Sequence, residues 1–225
     1  MNKKEWDLRQ DICEVGRRLY RVGFMSGSDG NLSARLNEDE VLITPSRLSK
    51  GYLEPYQLVK VNCEGRKIEG DLPPSVELPM HLVAYEVRPE VLAIAHCHPP
   101  LLTAFTVAGI TLPRGILPEI EVMFAGQIPV ASYATPAGPE LAESVRDLIK
   151  QNNVILLDHH GILSVGLDIY QAGIKIEHAE SAANVIFYSR LLGGEKPLPQ
   201  DRLKELMEIH DRINKSEREI FARYK

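Results

Sequence analysis

Two histidines that flank a single residue, His96 and His98, close an apolar run that is predicted to be a strand. Side chains alternate between the two faces of a strand, so both imidazoles point the same way and Cys97 points the opposite way. Neutral imidazoles on one face are suitable ligands for zinc and similar borderline metals. A bare pair is a weak motif, however, and two polar residues at the solvated end of a strand explain it equally well.

A second histidine pair and one glutamate could complete such a site. His159 and His160 follow the apolar run 154–157 and precede Gly161, which leaves room for a ligand near the backbone. Glu77 opens a predicted helix, where its carboxylate is stabilised as an anion. Taken singly, these residues are a surface turn and a helix cap. Together with the first pair they could supply three imidazoles and a carboxylate to a catalytic metal, which needs a position open to substrate.

Three short segments have the composition of an anion pocket. The loop 26–31 reads Ser-Gly-Ser-Asp-Gly-Asn, and backbone N–H groups in Gly-rich turns form concavities that bind phosphate. The hydroxyls of Ser46 and Ser75 would add donors, and the planar guanidinium of Arg47 matches the geometry of a phosphate. Each segment is an ordinary turn in isolation, and none is a Walker A or dinucleotide-binding motif.

The elements that must position these residues follow from hydrophobic periodicity. Helices are predicted at about 8–22, 76–87, 101–107, 141–149, 168–192 and 203–224, and strands at 32–36, 41–44, 58–62, 92–98 and 154–157. The stretch that contains Pro113, Pro118 and Pro129 is predicted to be irregular. This pattern indicates one α/β domain over residues 1–225, with a central sheet and helices on both faces. Periodicity leaves open whether the sheet is parallel, antiparallel or mixed.

Composition limits the classes of function. The chain has 225 residues, 44% of them hydrophobic and 25% charged, with a formal net charge of −5. These proportions are typical of globular proteins, and the acidic balance argues against nucleic acid or an anionic membrane as a partner. We expect neither a signal peptide nor a membrane span, because the N-terminus is polar and no apolar run approaches about 20 residues. The three scattered cysteines, Cys13, Cys63 and Cys97, indicate a reduced cytoplasm.

In their order along the chain, the motifs resemble the class II aldolase/adducin family. The resemblance runs from about residue 5 to residue 192, and the matching segments are Gly-Ser-Asp-Gly-Asn at 27–31, Ile-Thr-Pro-Ser at 43–46, Ser-Val-Glu at 75–77, His-Cys-His at 96–98 and His-His-Gly at 159–161. The combined spacing is far more specific than any one segment. The resemblance implies a central, mainly antiparallel sheet between helical layers. It also implies a homotetramer with active sites between adjacent subunits.

The resemblance also implies roles for individual residues. The metal ligands would be His96, His98 and His160, and Glu77 would touch the metal and act as catalytic acid and base. The substrate phosphate would be bound by Ser28, Asn31, Ser46 and Ser75. Arg47 stands where the family often has Gly, and Val76 replaces a phosphate-binding serine; we expect Arg47 to compensate. The metal would be one divalent ion per subunit, with Zn²⁺ first and Mn²⁺, Co²⁺ or Fe²⁺ as alternatives.

The activity implied by the resemblance is that of a metal-dependent aldolase. It would cleave a ketose 1-phosphate, of the L-fuculose or ribulose type or a deoxy sugar, to dihydroxyacetone phosphate and an aldehyde through a metal-stabilised enediolate. Alternatives on the same site are a ribulose-phosphate 4-epimerase, a methylthioribulose-phosphate dehydratase and a decarboxylase. A non-catalytic adducin-like binding module is a further alternative. One departure concerns segment 117–123, which lacks the tyrosine that fuculose-phosphate aldolases donate from a neighbouring subunit.

Overall fold

One twisted sheet organises the computed structural model, which describes residues 2–223. Within that range the sheet has eight strands, and all neighbours are antiparallel except β6 and β7. Across the sheet the strands are β4 (Lys67–Glu69), β3 (Val59–Asn62), β2 (Glu40–Ile43), β1 (Asn31–Arg35), β5 (Ala93–Cys97), β8 (Gly161–Gly166), β7 (Val154–Leu157) and β6 (Val130–Ala131). The mainly antiparallel sheet expected from the family resemblance is confirmed.

Helices cover both faces of this sheet, as the sequence predicts. The helices are α1 (Lys3–Arg21), α2 (Leu78–Val87), α3 (Pro100–Val107), α4 (Pro118–Phe124), α5 (Pro139–Ile149), α6 (Ile169–Leu191) and α7 (Gln200–Arg223). One apolar core lies between the sheet and α1, α3, α4 and α6, and a second lies between the opposite face and α2 and α5. None of the described helices combines the length and apolar character that a membrane span requires.

Local sequence explains where the two long helices of the first layer begin. Asn2 accepts a hydrogen bond from the backbone N–H of Glu5 at 2.9 Å, and Asp168 accepts one from Gln171 at 2.7 Å. Each side chain thus satisfies a free donor of the first helical turn. The predicted end of the last helix at Tyr224 lies outside the described residues.

Four of these elements, β4, β6, β8 and α4, were not predicted from the sequence, and the last two are the most informative. The segment Gly161–Gly166 forms strand β8, although only three residues separate it from β7 and glycines bound it. Within the stretch predicted to be irregular, α4 begins at Pro118, because proline at the first helical position loses no hydrogen bond. The cysteines occupy contrasting places, since Cys13 and Cys97 are buried and Cys63 is exposed.

Candidate metal centre and active site

Three histidines converge where β5 meets β8. His96 lies in β5 and His98 directly follows it, while His160 directly precedes β8. Antiparallel pairing aligns Cys97 with Ile162 and so brings His98 and His160, which are far apart in sequence, to one point. The possible ligand atoms of the three imidazoles all lie within 4.8 Å of one another. The structure therefore brings together the three residues that the sequence analysis assigns to a metal.

A backbone hydrogen bond orients the ring of His96. Nδ1 of His96 donates to the carbonyl oxygen of Ile162 at 2.9 Å, so Nε2 is the ring nitrogen of His96 that faces the other histidines and Glu77. This arrangement, in which the second ring nitrogen is fixed by a carbonyl, is typical of metal-binding histidines. Burial and the neighbouring imidazoles of His96 and His160 lower the pKa of His98 to about 3, so this ring is the neutral ligand form.

Glu77 completes the cluster from the other side. It occupies the N-cap position of α2 and is 7% exposed. Its Oε2 lies 3.3 Å from Nε2 of His96, and its Oε1 lies 3.3 Å from Nε2 of His160. Burial alone would raise the pKa of this carboxyl, but charge interaction with His96 and hydrogen bonds from His160, His96 and Asn31 hold it well below its usual range. The resting group is therefore a carboxylate.

The distances between the candidate ligand atoms of Glu77 and the histidines fit a divalent cation. Nε2 of His98 lies 3.1 Å from Nε2 of His96, and the two Glu77 contacts measure 3.3 Å. Tetrahedral ligands at about 2.0–2.1 Å from zinc are separated from one another by about 3.3 Å. A ligand set of three imidazoles and one carboxylate suits zinc or a similar metal.

Two glycines allow the backbone to pass close to the ligands. A Cβ at Gly161 would lie 2.4 Å from the carbonyl oxygen of Cys97 and 2.8 Å from the ring of His98. Gly30 has a positive φ of 72°, and a Cβ there would lie 2.7 Å from the carbonyl oxygen of His96. Both positions are therefore restricted to glycine, because any larger residue would displace the strand that holds the histidines.

Two of the five residues assigned to phosphate are neighbours in the fold. Ser46 and Ser75 are brought together by a backbone bridge between Pro45 and Pro74, and the Ser46 hydroxyl donates to the Pro74 carbonyl at 3.0 Å. Ser75 Oγ accepts from the backbone N–H of Glu77 at 3.2 Å, which links this pair of serines to the histidine cluster.

The remaining three residues of that set differ in exposure. Ser28 and Arg47 are exposed, and Arg47 has a positive φ of 62°, which explains why glycine suits its position. Asn31 is instead buried, and its Nδ2 donates to Glu77 Oε2 at 2.6 Å. The side chain of Asn31 thus contacts the proposed acid/base directly, a contact that the sequence analysis did not anticipate.

A buried lysine that no sequence pattern indicates lies beside this site. Lys50 is 2% exposed, and its Nζ donates to the backbone carbonyl of Ser28 at 2.6 Å. Burial lowers the pKa of Lys50 to about 8, against the opposing effects of the Asp29 and Glu77 charges. A lone lysine in a polar segment carries no sequence signal of burial. Its contact with Ser28 holds the loop 26–31 in place.

Segment 117–123 offers two carboxyl groups in place of the tyrosine. Glu121 is buried and accepts a hydrogen bond from the backbone N–H of Gly115 at 2.6 Å, so it stabilises the turn before α4. Glu119 is exposed on the first turn of α4.

The sequence is similar to those of known enzymes. The family described as class II aldolase and adducin N-terminal domain matches residues 10–187. A 3-oxo-tetronate 4-phosphate decarboxylase of Cupriavidus necator is 35% identical over 80% of this chain and 84% of that protein. An L-fuculose phosphate aldolase of Haemophilus influenzae is 33% identical over 93% of each chain.

Solved structures show the same fold. An L-fuculose 1-phosphate aldolase superposes with a TM-score of 0.82 at 28% identity, covering 90% of this chain and 95% of the other. The L-fuculose-1-phosphate aldolase of Thermus thermophilus superposes with a TM-score of 0.74 at 30% identity, covering 85% of this chain and 98% of the other. From the histidine cluster, the family match and these similarities together, the chain belongs to the class II aldolase/adducin family.

Proposed function

We propose that the chain is a metal-dependent lyase that breaks a carbon–carbon bond beside the ketone of a small phosphorylated hydroxy-ketone. The observation that carries the proposal is the position of Glu77, whose two oxygens each lie 3.3 Å from a histidine of the cluster. A divalent cation held there would supply the positive charge that polarises the substrate's ketone. Zinc is our first candidate, with Mn²⁺, Co²⁺ and Fe²⁺ as alternatives.

Glu77 would relay the proton that the reaction requires. Cleavage leaves an electron pair on the carbon next to the ketone, and that carbon must then take up a proton. A carboxyl group within reach of it can accept and deliver this proton. In aldol cleavage the proton comes from the hydroxyl group of the carbon that becomes the aldehyde. In decarboxylation it comes from solvent, because carbon dioxide leaves without one.

Two substrates can use the same pocket. A 3-oxo-tetronate 4-phosphate that loses carbon dioxide leaves dihydroxyacetone phosphate. A ketose 1-phosphate that is cleaved between C3 and C4 leaves dihydroxyacetone phosphate and an aldehyde. In both, phosphate, ketone and the reacting carbon have the same spacing, so Ser28, Asn31, Ser46, Arg47 and Ser75 would bind the same phosphate. Only the leaving group differs.

Decarboxylation is our first candidate, and the side chains of segment 117–123 favour it. Fuculose-phosphate aldolases place a tyrosine from this segment at the leaving oxygen as a second proton-transfer group, and here the segment has no tyrosine. Glu121 is committed to the N–H of Gly115. Loss of carbon dioxide needs no such group. The decarboxylase relatives support this order, and the fuculose-phosphate aldolase relatives support aldol cleavage as the second candidate.

Product analysis on the metal-loaded protein tests the proposal. We expect 3-oxo-tetronate 4-phosphate to yield equal amounts of carbon dioxide and dihydroxyacetone phosphate. L-Fuculose 1-phosphate and ribulose 1-phosphate would yield dihydroxyacetone phosphate and an aldehyde if aldol cleavage is the activity. Dihydroxyacetone phosphate is common to both reactions, so the second product decides between them. Formation of dihydroxyacetone phosphate from none of these compounds overturns the proposal.

Replacement of the proposed acid/base provides a second test. Glu77→Gln keeps the shape of the side chain but removes the group that relays the proton to the reacting carbon, so we expect the turnover number to fall by about 10²–10⁴-fold. Glu143→Gln, an exposed change on α5, is the matched control and should retain full activity. Turnover of Glu77→Gln within threefold of the wild type would show that Glu77 does not move the proton.

We also propose that the chain forms a homotetramer in a reduced cytoplasm. Exposed apolar side chains on α6 support self-association: Ile174, Val185, Tyr188 and Leu191. Light scattering on the purified protein should give about four times the mass of one chain, and a monomer would contradict the proposal.

A further inference from the structure

A row of buried polar side chains continues inward from Glu77. Asn31 and Ser33 alternate along β1 and share one face, while His81 and Tyr85 lie one turn apart on α2. These four side chains are at most 3% exposed. Buried polar groups are costly unless each is hydrogen-bonded, so their arrangement in a continuous row calls for an explanation beyond packing.

Hydrogen bonds connect the whole row. Tyr85 Oη lies 2.9 Å from Ser33 Oγ, and Ser33 Oγ lies 2.7 Å from Nδ1 of His81. On the other side of the ring, Nε2 of His81 lies 2.5 Å from Oδ1 of Asn31. Asn31 Nδ2 then donates to Glu77 Oε2 at 2.6 Å. The chain of contacts therefore runs from Tyr85 to the carboxylate without a break.

The charge of the carboxylate fixes the direction of every bond. A carboxylate only accepts, so the amino group of Asn31 must face Glu77 and its carbonyl oxygen must face His81. His81 must then donate from Nε2, which leaves Nδ1 as an acceptor. Ser33 must therefore donate to Nδ1, and its own oxygen accepts from the hydroxyl of Tyr85.

This sequence of donors and acceptors requires a neutral His81, and burial favours that form. Burial lowers the pKa of His81 to about 3 and raises the pKa of Tyr85, so both side chains are uncharged. The far end of the row is also held in place. Arg35 stacks over the Tyr85 ring at 4.7 Å and donates to the Tyr85 carbonyl oxygen at 3.0 Å.

We propose that His81, supported by Ser33 and Tyr85, is a positioning residue that locks the Asn31 carboxamide and thereby orients the Glu77 carboxylate. The inference rests on the proposed role of Glu77 as acid/base. With Asn31 donating to Oε2, the carboxylate is held so that Oε1 faces His160. Without the donor of His81, the Asn31 amide can rotate and present its oxygen to the carboxylate, which repels it.

Two substitutions of His81 separate positioning from packing. His81→Gln can donate to Asn31 and accept from Ser33, whereas His81→Leu can do neither. We expect His81→Leu to lower kcat by about 10- to 100-fold, as outer-shell partners of metal sites typically do, with KM changed less than threefold. His81→Gln should restore kcat to within fivefold of the wild type. Met80→Leu, a buried change on the same helix, is the packing control and should leave kcat unchanged.

A smaller substitution keeps the test decisive if His81→Leu does not fold. Ser33→Ala removes one hydroxyl and leaves Nδ1 of His81 without its donor. We expect this variant to fold and to lose at least fivefold in kcat. Wild-type kcat in both Ser33→Ala and any folded His81→Leu would overturn the inference while leaving the lyase proposal intact.

A readout that needs no substrate distinguishes the inference from the lyase proposal. In the metal-loaded protein labelled with ¹⁵N-histidine, NMR reports which ring nitrogen carries the proton. We expect His81 to carry it on Nε2 in the wild type and to populate the Nδ1–H form in Ser33→Ala. An Nδ1–H form in the wild type would overturn the inference, whichever substrate the protein cleaves. Failure of all substrates with an Nε2–H ring would refute the lyase proposal and keep the hydrogen-bond order.

Discussion

At the scale of single residues, two adjacent histidines have different surroundings. His160 is nearly buried and faces Glu77, whereas His159 is half exposed and pairs with Asp158 at 2.8 Å. We expect His160→Ala to lose bound metal and activity. His159→Asn is the matched control, because asparagine tolerates the positive φ of 56° at this position. Metal analysis by mass spectrometry checks both variants, and full metal content in His160→Ala would refute the assigned site.

Arg47 has an unfavourable backbone conformation and is also proposed to bind the substrate phosphate. Its φ of 62° is unfavourable for a side chain with a Cβ. We expect Arg47→Gly to stabilise the fold by about 1 kcal/mol and to raise KM for the phosphorylated substrate by about tenfold, the value of one hydrogen bond to a charged group. Thermal unfolding and steady-state kinetics measure the two effects. An equal KM increase with the unphosphorylated ketone would show that Arg47 does not bind phosphate.

The sequence motifs were sufficient to predict which histidines and which glutamate come together. They were not sufficient for residues whose contacts are with partners far away in the sequence. The His-Cys-His and His-His-Gly segments and Glu77 carry spacing that the family resemblance makes specific. His81 and Lys50 belong to no such pattern, because their partners Asn31 and Ser28 lie 50 and 22 residues away. Their burial depends on how α2 and the loop 26–31 fold against the sheet, which periodicity does not specify.

At the scale of elements, the close pairing of β5 and β8 makes the site. Gly161→Ala would place a methyl group 2.4 Å from the Cys97 carbonyl oxygen, which must push the two strands apart. We expect a loss of about 1–3 kcal/mol in the free energy of unfolding together with weaker metal binding. Urea unfolding and metal titration measure both. Gly109→Asn is the control, because a Cβ there meets no atom within 4 Å, asparagine tolerates the φ of 67° at this position, and Gly109 lies outside this strand pair.

The same strand pair shows what limits prediction at this scale. The alternating and apolar patterns located β1, β2, β3, β5 and β7, and the helix stripes located most helices. Strand direction is a property of pairs of strands, so only the family resemblance could supply it. β8 was not predicted because the polar residues 158–160 and the following glycine are typical of a loop. α4 escaped because Pro118 reads as a helix breaker, although it stands at the first helical position.

At the scale of the whole molecule, buried histidines should make stability depend on pH. His81 has a pKa of about 3 in the folded protein, against an ordinary value of 6.5. The unfolded chain therefore binds a proton that the folded chain does not, and stability falls as the pH drops below about 6.5. Between pH 6.5 and 5 this group should cost about 2 kcal/mol, at about 1.4 kcal/mol per pH unit.

Comparison of two variants isolates that contribution. Urea unfolding of the wild type and of His81→Gln at pH 7.5 and pH 5 should show a smaller acid-induced loss in the variant, since glutamine does not titrate. Identical pH dependence of the two proteins would contradict the burial-induced shift of the His81 pKa.

The distribution of the three cysteines has a practical consequence for the folded molecule. Cys97 stands between two histidines of the cluster but faces the opposite side of β5, where burial raises the pKa of its thiol. Burial likewise raises the pKa of Cys13 to about 11. Thiolates react with maleimides far faster than thiols do, so the exposed Cys63, in the turn between β3 and β4, should be the labelling position of the native protein. A fluorophore could be attached at Cys63 without any substitution, and this residue is far in sequence from every histidine of the cluster.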